Sequence, residues 1–296
     1  MPRECFTLKR REWGLSSVGR ALQWHCRGQG FDSPRLHQRK HLIMNPAAKS
    51  FDICSEIYED SRPGYPDAVA NFFKKKLGFN TLSKLLELAA GTGKFTDLLV
   101  QHDLHPTVTE WLPNMLAILK AKHPKLSSAI AKAESIPFKD TTFEGVLTAQ
   151  AFHWFANHVT LKDIARVLKS GGYLCILFQE RNSQVSWGYE YHKIIFSYPH
   201  EAIVKFELGA WKSAFENQHY FSPLEHQKFT YSHHFFKKNL IQRALGMSFI
   251  AALSETKKAE VVQRIENLCA THPQIKDYDI IGFPYITHVY WAKVLK

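Results

Sequence analysis

An α/β domain built on a largely parallel sheet is the architecture that this sequence predicts, and three observations predict it. Short apolar runs, too brief for helices, alternate with amphipathic stretches from residue 84 to residue 178; a glycine-rich loop joins the first run to the helix after it; and a Gly-Gly turn leads into the fifth run. Apolar strands separated by helices are buried on both faces of a sheet and are joined by right-handed crossovers.

Each element follows in order. Ala47 to Tyr58 has helical spacing and ends before Arg62-Pro63-Gly64-Tyr65-Pro66, because prolines push the preceding residue out of the helical region. Asp67 to Leu77 resumes helical spacing, with Val69, Phe72 and Phe73 on one face and Gly78 as its stop. Lys84 to Leu88 is the first strand; it breaks into Ala89-Ala90-Gly91-Thr92-Gly93 and continues as a helix over Phe95 to Gln101. Thr107 to Thr109 is the second strand, Met115 to Lys122 a helix, Ser128 to Ile130 the third strand and Phe143 to Ala149 the fourth. A helix over Leu161 to Leu168 precedes Gly171-Gly172 and the fifth strand, Tyr173 to Phe178. Beyond Arg181 the pattern changes to aromatic-rich helices as far as about Gln218, a strand at His226 to Phe236, two helices between Lys238 and Ala270, and a last strand, Ile286 to Leu295.

Composition narrows the class. With 45% apolar residues in 296, the chain has enough material for a full core, and charged or His side chains interrupt every apolar run, so none reaches a membrane span. Five cysteines without a close pair fit neither a disulfide framework nor a zinc cluster, and point to a reducing, cytoplasmic setting. Cys175, within an apolar run, reads as a small buried hydrophobe. The net charge of +11 would suit an acidic partner, but it is uneven: residues 1–43 hold nine Lys/Arg against three Asp/Glu, leaving 29 against 24 for the remainder.

That first segment, 1–43, has no helical or alternating period and reads as a spurious or disordered leader. Ser16 to Ala21 can be written AGC TCA GTT GGT AGA GCA, which looks like the D arm of a transfer RNA gene, and Gly30 to Ser33 as GGG TTC GAT TCC, which resembles the T arm. His37-Gln38, as CAC CAA, then holds a terminal CCA in place. The segment is read as a translated tRNA gene joined to a start at Met44, dispensable for the domain; an unusual basic tail is the alternative. The domain proper is then 44–296, divided into a ligand-binding core (44–180), a cap with the sixth strand (181–270) and the last strand region (271–296).

The glycine loop Glu87 to Gly93 has two lookalikes to exclude. A nucleoside-triphosphate loop would need Gly at 88 and Ser or Thr at 95, where Leu88 and Phe95 stand; a dinucleotide fingerprint would need a third glycine, where Thr96 or Lys94 stands. What remains is a loop of small residues, Ala89, Gly91 and Gly93, that lets backbone approach a ligand closely at a helix N-terminus. Seventeen residues after Gly93, Glu110 ends the second strand, where a carboxylate can accept the hydroxyls of a ribose. Trp111 beside it can cover an adenine face, and Ala133-Glu134 stands where an adenine edge would lie. A solvated strand-end carboxylate is the plain alternative for Glu110, and core packing for Trp111 and Met115. His233-His234 reads as one exposed and one buried strand position rather than a metal site.

Together these residues resemble the class I S-adenosylmethionine-dependent methyltransferases, over residues 51 to about 295. Within that family the likeness is to the small-molecule group containing trans-aconitate methyltransferases. It is carried in order by Tyr58 with Arg62-Pro63-Gly64-Tyr65-Pro66, the loop Glu87 to Gly93, Glu110 with Met115, Ala133 to Phe138, and Ala151-Phe152-His153-Trp154-Phe155. One departure is Ala89, where many members have glycine. The resemblance implies a Rossmann-like seven-stranded sheet, mostly parallel with an antiparallel last strand, and a helical cap over the substrate. It implies S-adenosyl-L-methionine as cofactor, with Tyr58, Arg62, Glu87, Ala89, Gly91, Gly93, Glu110, Trp111, Met115, Ala133, Glu134 and Gln150 binding it, Arg62 near its amino-acid end.

The acceptor expected is a small molecule. Methyl transfer from a sulfonium is an in-line displacement in which positioning supplies most of the catalysis. A carboxylate acceptor, ionised above a pKa of about 4, needs no base, whereas a phenol or amine could use His153, which follows the fourth strand. His153 holding its loop through a backbone bond is an equal alternative. Trp154 and Phe155 would be apolar walls, and Arg181, after the fifth strand, a partner for an acceptor carboxylate, or else for Glu180 or solvent. A nucleic-acid methyltransferase is the second class, opposed by Gln150-Ala151-Phe152-His153 in place of the Asn/Asp-Pro-Pro-aromatic motif of base amino-group methylation. A cofactor-binding protein without catalysis is the third. No metal is expected, nor a membrane partner.

Overall fold

The structure, a computed structural model, describes residues 63–182, 186–198 and 209–296. The leader over 1–43, the start at Met44, the helix over Ala47 to Tyr58, and the candidate residues Tyr58 and Arg62 lie outside the described residues.

Helix α1 (Asp67–Leu77) is entered through Pro66 and stopped by Gly78, whose φ of 77° is a left-handed conformation that glycine adopts without a Cβ penalty. Then come β1 (Leu85–Leu88), α2 (Lys94–Gln101), β2 (Thr107–Glu110), α3 (Pro113–Lys122), β3 (Ser128–Ile130) and β4 (Phe143–Ala149). A 3-10 turn, Phe152–Trp154, leads to α4 (His158–Val167), whose N-cap Asn157 accepts from the Thr160 N–H at 2.9 Å through its side-chain oxygen. Strand β5 (Leu168–Arg181) follows, then α5 (Ser186–Phe196), a 3-10 segment Ala210–Phe215, β6 (Glu225–Phe236), α6 (Asn239–Leu245), α7 (Ser248–Ala251), α8 (Glu255–Thr271) and β7 (Ile280–Lys293).

The strands form one seven-stranded sheet in the order β3-β2-β1-β4-β5-β7-β6. The first five are parallel, and β7 runs antiparallel to both β5 and β6. Chain order reverses between β1 and β4, so the carboxyl ends of these strands open a crevice there.

Burial follows the period of two along the strands. Leu86, Val146, Leu174 and Ile176 pack on one face with Leu161, Ile164 and Val167 of α4. Leu85, Leu147, Cys175 and Leu177 pack on the other with Val69 and Phe73 of α1 and Phe95 and Leu99 of α2. All four β1 residues are buried, the signature of a strand covered on both sides. A third cluster, including Trp187, Tyr191, Ile265 and Phe283, packs α5 to α8 on the upper part of β6 and β7. Among the described residues no helix is long and apolar enough to cross a membrane.

The structure differs from the sequence reading chiefly at the second half. Strand β5 runs on to Arg181 and β7 starts at Ile280, because the two pair continuously from Tyr173↔Lys293 to Arg181↔Tyr285. Gly282 and Pro284 read as strand breakers, but Pro284 lies just past the last β5 pair, where a missing N–H is tolerated. Three helices rather than two separate Lys238 from Ala270, since α7 is a single short turn.

Gly145 marks the tightest approach of α1's end to the sheet. A Cβ there would stand 2.6 Å from Phe79 Cζ and 2.9 Å from Leu85 Cδ2. We predict that Gly145→Ala destabilises the domain by about 1–3 kcal/mol through overpacking. A denaturant titration with an unchanged midpoint would show that Phe79 moves aside without cost.

Candidate active site

Strand β1 ends in a loop whose backbone turns left-handed three times: Ala89 has φ 53°, Gly91 59° and Gly93 88°. Glycine adopts this region freely, while Ala89 holds it at a cost on the order of 1 kcal/mol. The loop is fixed by its own backbone, with the Ala90 N–H donating to Thr109 O and the Gly93 N–H to Ala90 O, both at 3.0 Å. Helix α2 starts directly after it, at Lys94, which lines the crevice.

Glu110, at the end of β2, is buried and gathers three backbone donors. Its Oε2 accepts from the Gly91 N–H at 2.8 Å, and its Oε1 from the N–H groups of Trp111 and Leu112 at 2.8 and 2.9 Å. Glu87, at the end of β1, is also buried, and burial pushes its carboxyl up to about 8 despite a 2.8 Å hydrogen bond donated by Thr96 Oγ1. At neutral pH it is largely protonated.

A cavity of about 350 Å³ lies over these strand ends. It brings together Glu87, Ala89, Gly91, Glu110, Trp111, Met115, Ala133, Glu134, Gln150 and Trp154, all expected from the sequence, with Phe155 as a wall. Gly93 is not among the lining residues; a Cβ on it would sit 3.0 Å from Leu119 Cγ, so it serves the packing of the loop on α3. His153 and Arg181 also stand outside the lining. The His153 ring packs between Trp154 and Phe178, centroids 4.9 and 5.9 Å away, and burial pushes its pKa down to about 4. Arg181 lies over the Tyr191 ring, while Glu180 points the other way to His288 Nε2 at 2.8 Å.

Several lining residues were not singled out from the sequence, four polar or aromatic ones among them. Tyr65 stands edge-on to Phe95 with centroids 5.0 Å apart, and Lys132 lies 5.0 Å from the Trp111 ring centroid. Thr92 and Lys94 belong to the glycine loop. Thr92 carried a signal: a hydroxyl among small residues needs a partner, and its Oγ1 is buried with no hydrogen bond in the structure.

A switch-point crevice in a seven-stranded sheet with a single antiparallel strand, a glycine loop and a buried strand-end carboxylate define a Rossmann-like methyltransferase. The comparisons agree. A family described as "Methyltransferase domain" matches residues 86–176. An uncharacterized methyltransferase-like protein of Schizosaccharomyces pombe is 32% identical over 240 residues, covering 81% of this chain and 93% of the relative. An uncharacterized methyltransferase of Mycobacterium tuberculosis is 26% identical over 238 residues, covering 80% and 93%. In fold, a structure from Anaeromyxobacter dehalogenans assigned as a type II methyltransferase superposes with a TM-score of 0.52 at 13% identity, covering 78% of this chain and 97% of that one. The chain belongs to the S-adenosylmethionine-dependent methyltransferases.

Its cofactor is therefore S-adenosyl-L-methionine, and the residues present fit that group. The Thr92 hydroxyl lacks a partner at the cavity wall, Gly91 leaves room for close backbone approach, and the donor set pairs carboxylates with an indole face.

Glu87 gives the site a pH signature. Its folded pKa, about 8, exceeds the ordinary 4.5, so the folded state holds a proton that the unfolded state has lost between these values. The stability it contributes is complete below pH 4.5 and is lost as pH rises through about 8. We predict that Glu87→Gln, which cannot ionise, flattens this slope and gains stability relative to the parent at pH 8–9. Parallel slopes for the two proteins in thermal melts between pH 4.5 and about 8 would contradict the assignment.

Proposed function

We propose that the chain transfers the methyl group to a small organic acid, by in-line displacement that needs no general base. The observation that supports this most is the state of His153. Burial holds its imidazole neutral with a pKa near 4 and its ring is packed among aromatic side chains outside the cavity wall, so it is poorly suited to take a proton from a phenol or an amine. A carboxylate acceptor arrives ionised and asks nothing of it.

When bound, S-adenosylmethionine supplies an electrophilic methyl on a sulfonium. The chain's own residues do the holding. Glu110, whose carboxylate accepts from three backbone N–H groups, stands at the strand end where a carboxylate can accept ribose hydroxyls. Trp111, Met115 and Ala133 offer apolar surface to the adenine, with Glu134 at its edge. Tyr58 and Arg62 are assigned to the cofactor by resemblance, Arg62 toward its amino-acid end. Trp154 and Phe155 exclude water from the acceptor side.

Two measurements test this reading. Glu110→Ala and Gly91→Val should each weaken S-adenosylmethionine binding by about 1–3 kcal/mol, the first by removing an acceptor and the second by placing a branched side chain at a left-handed position. Unchanged affinity by calorimetry in both folded variants refutes the site. For the acceptor, small di- and tricarboxylic acids such as trans-aconitate should be methylated. If phenols or amines react and acids do not, the acid reading fails and His153 returns as a base.

A further inference from the structure

Three strands bring one row of polar side chains together at the carboxyl end of the sheet. The β5–β7 register sets Arg181 beside Tyr285, and the β6–β7 register sets Tyr285 beside Tyr231. From α6, Arg243 reaches the same row: its Nη2 donates to the Tyr285 hydroxyl oxygen at 2.7 Å, and its guanidinium lies 4.4 Å from the Phe235 ring centroid. Arg181, the register partner of Tyr285, places a second positive charge near the same phenol. Arg243 is 6% exposed and Tyr285 4%.

Among the described residues, no Asp or Glu forms an ion pair with Arg181 or Arg243. Glu180 is turned to the opposite face by strand alternation and is held by His288. Burial would raise the Tyr285 hydroxyl, but the two arginines outweigh it and bring it below the ordinary tyrosine range. His233, on the same face of β6, is held near 4 by burial, with Arg243 and Lys94 adding to the effect. Gathering cations out of water is costly without an anion, so this arrangement of described residues favours an anionic guest.

The row adjoins the cofactor cavity through Gln179. Its Nε2 donates to Gly64 O at 2.8 Å and to the Tyr231 oxygen at 2.9 Å, and its carbonyl accepts from Gln150 Nε2 at 3.1 Å. Gln150 and Tyr65, the residue after Gly64, both line the cavity.

We propose that Arg181, Arg243 and Tyr285 form a subsite for a carboxylate of the acceptor that is distinct from the group receiving the methyl. This rests on the small-acid reading above and adds a handle to it. None of the three lines the cofactor cavity, so an anion held by them sits beside the reacting group rather than at it. A carboxylate shared by two guanidinium groups also has its lone pairs engaged and is a poor nucleophile. The acceptor therefore carries at least two functional groups, one clamped and one methylated, and the three residues set specificity without touching the reacting atoms.

The experiment uses the full chain saturated with S-adenosylhomocysteine, and tricarballylate (propane-1,2,3-tricarboxylate), its neutral triamide and inorganic phosphate as calorimetric probes. Tricarballylate is expected to bind, with affinity lowered about tenfold or more in Arg181→Gln and in Arg243→Gln and partly restored in Arg243→Lys, while S-adenosylhomocysteine affinity stays unchanged. In turnover with a methylated acid, the same variants should raise KM and leave kcat near the parent value. The proposal is overturned if tricarballylate does not bind, if it binds all variants equally, or if the triamide or phosphate binds as well as the acid. Should Arg243→Gln lose its fold by circular dichroism, Arg181→Gln, at a half-buried position, decides alone. Methylation of acids with KM unchanged in the variants sinks the subsite and spares the acceptor reading. Methylation of neutral acceptors alone sinks the acceptor reading, and the binding data then report on the subsite independently.

Discussion

Glu110 is buried at the end of β2, and a buried carboxylate needs charge-assisted partners or it loses its charge. Here the partners are backbone N–H groups from two segments: Gly91 in the loop after β1, and Trp111 and Leu112 in its own strand's exit. This one side chain ties the glycine loop to the neighbouring strand and aims the turn before α3. The left-handed residues of the loop are what let its N–H groups converge, and β1 and β2 can pair as they do only if the loop folds back over Thr109. The cofactor cavity is the space these constraints leave.

The two buried glutamates of the cavity are handled in opposite ways. Glu110 is surrounded by N–H donors that favour its ionised form. Glu87 has one hydroxyl donor, and burial dominates, so its proton stays to about pH 8. Two carboxyl groups on adjacent parallel strands therefore meet a ligand with different charge, and only the chain's local backbone geometry distinguishes them.

How much of this was legible follows from how local each feature is. The bounds of β3 and β4, the glycine loop and Glu110 could be read directly, because strand, turn and helix signals there lie within a few residues of one another. The extent of β5 and β7 could not: it is set by pairing across more than a hundred residues, and Gly282 and Pro284 obscure it. Tyr65 was seen as part of a proline turn, yet its place at the cavity depends on α1 packing against α2. Arg243 gave no signal at all, since an arginine in a short amphipathic helix reads as a solvated face, and only the fold buries it against Tyr285.

The same contrast separates the two halves of the site. The cavity-lining residues cluster on the loops after β1, β2, β3 and β4, where the parallel strands all end at one edge and a short motif is enough to place them. The polar row Gln179, Arg181, Tyr231 and Tyr285 is brought together by antiparallel register between β5, β7 and β6. A single change of register there would turn every one of these side chains to the opposite face, toward His288 and Tyr290. The long, continuous pairing of β7 with both neighbours is thus what fixes which polar groups share this face of the sheet. On the proposed reading, acceptor recognition depends on the antiparallel edge and on α6 and its neighbours packed upon it.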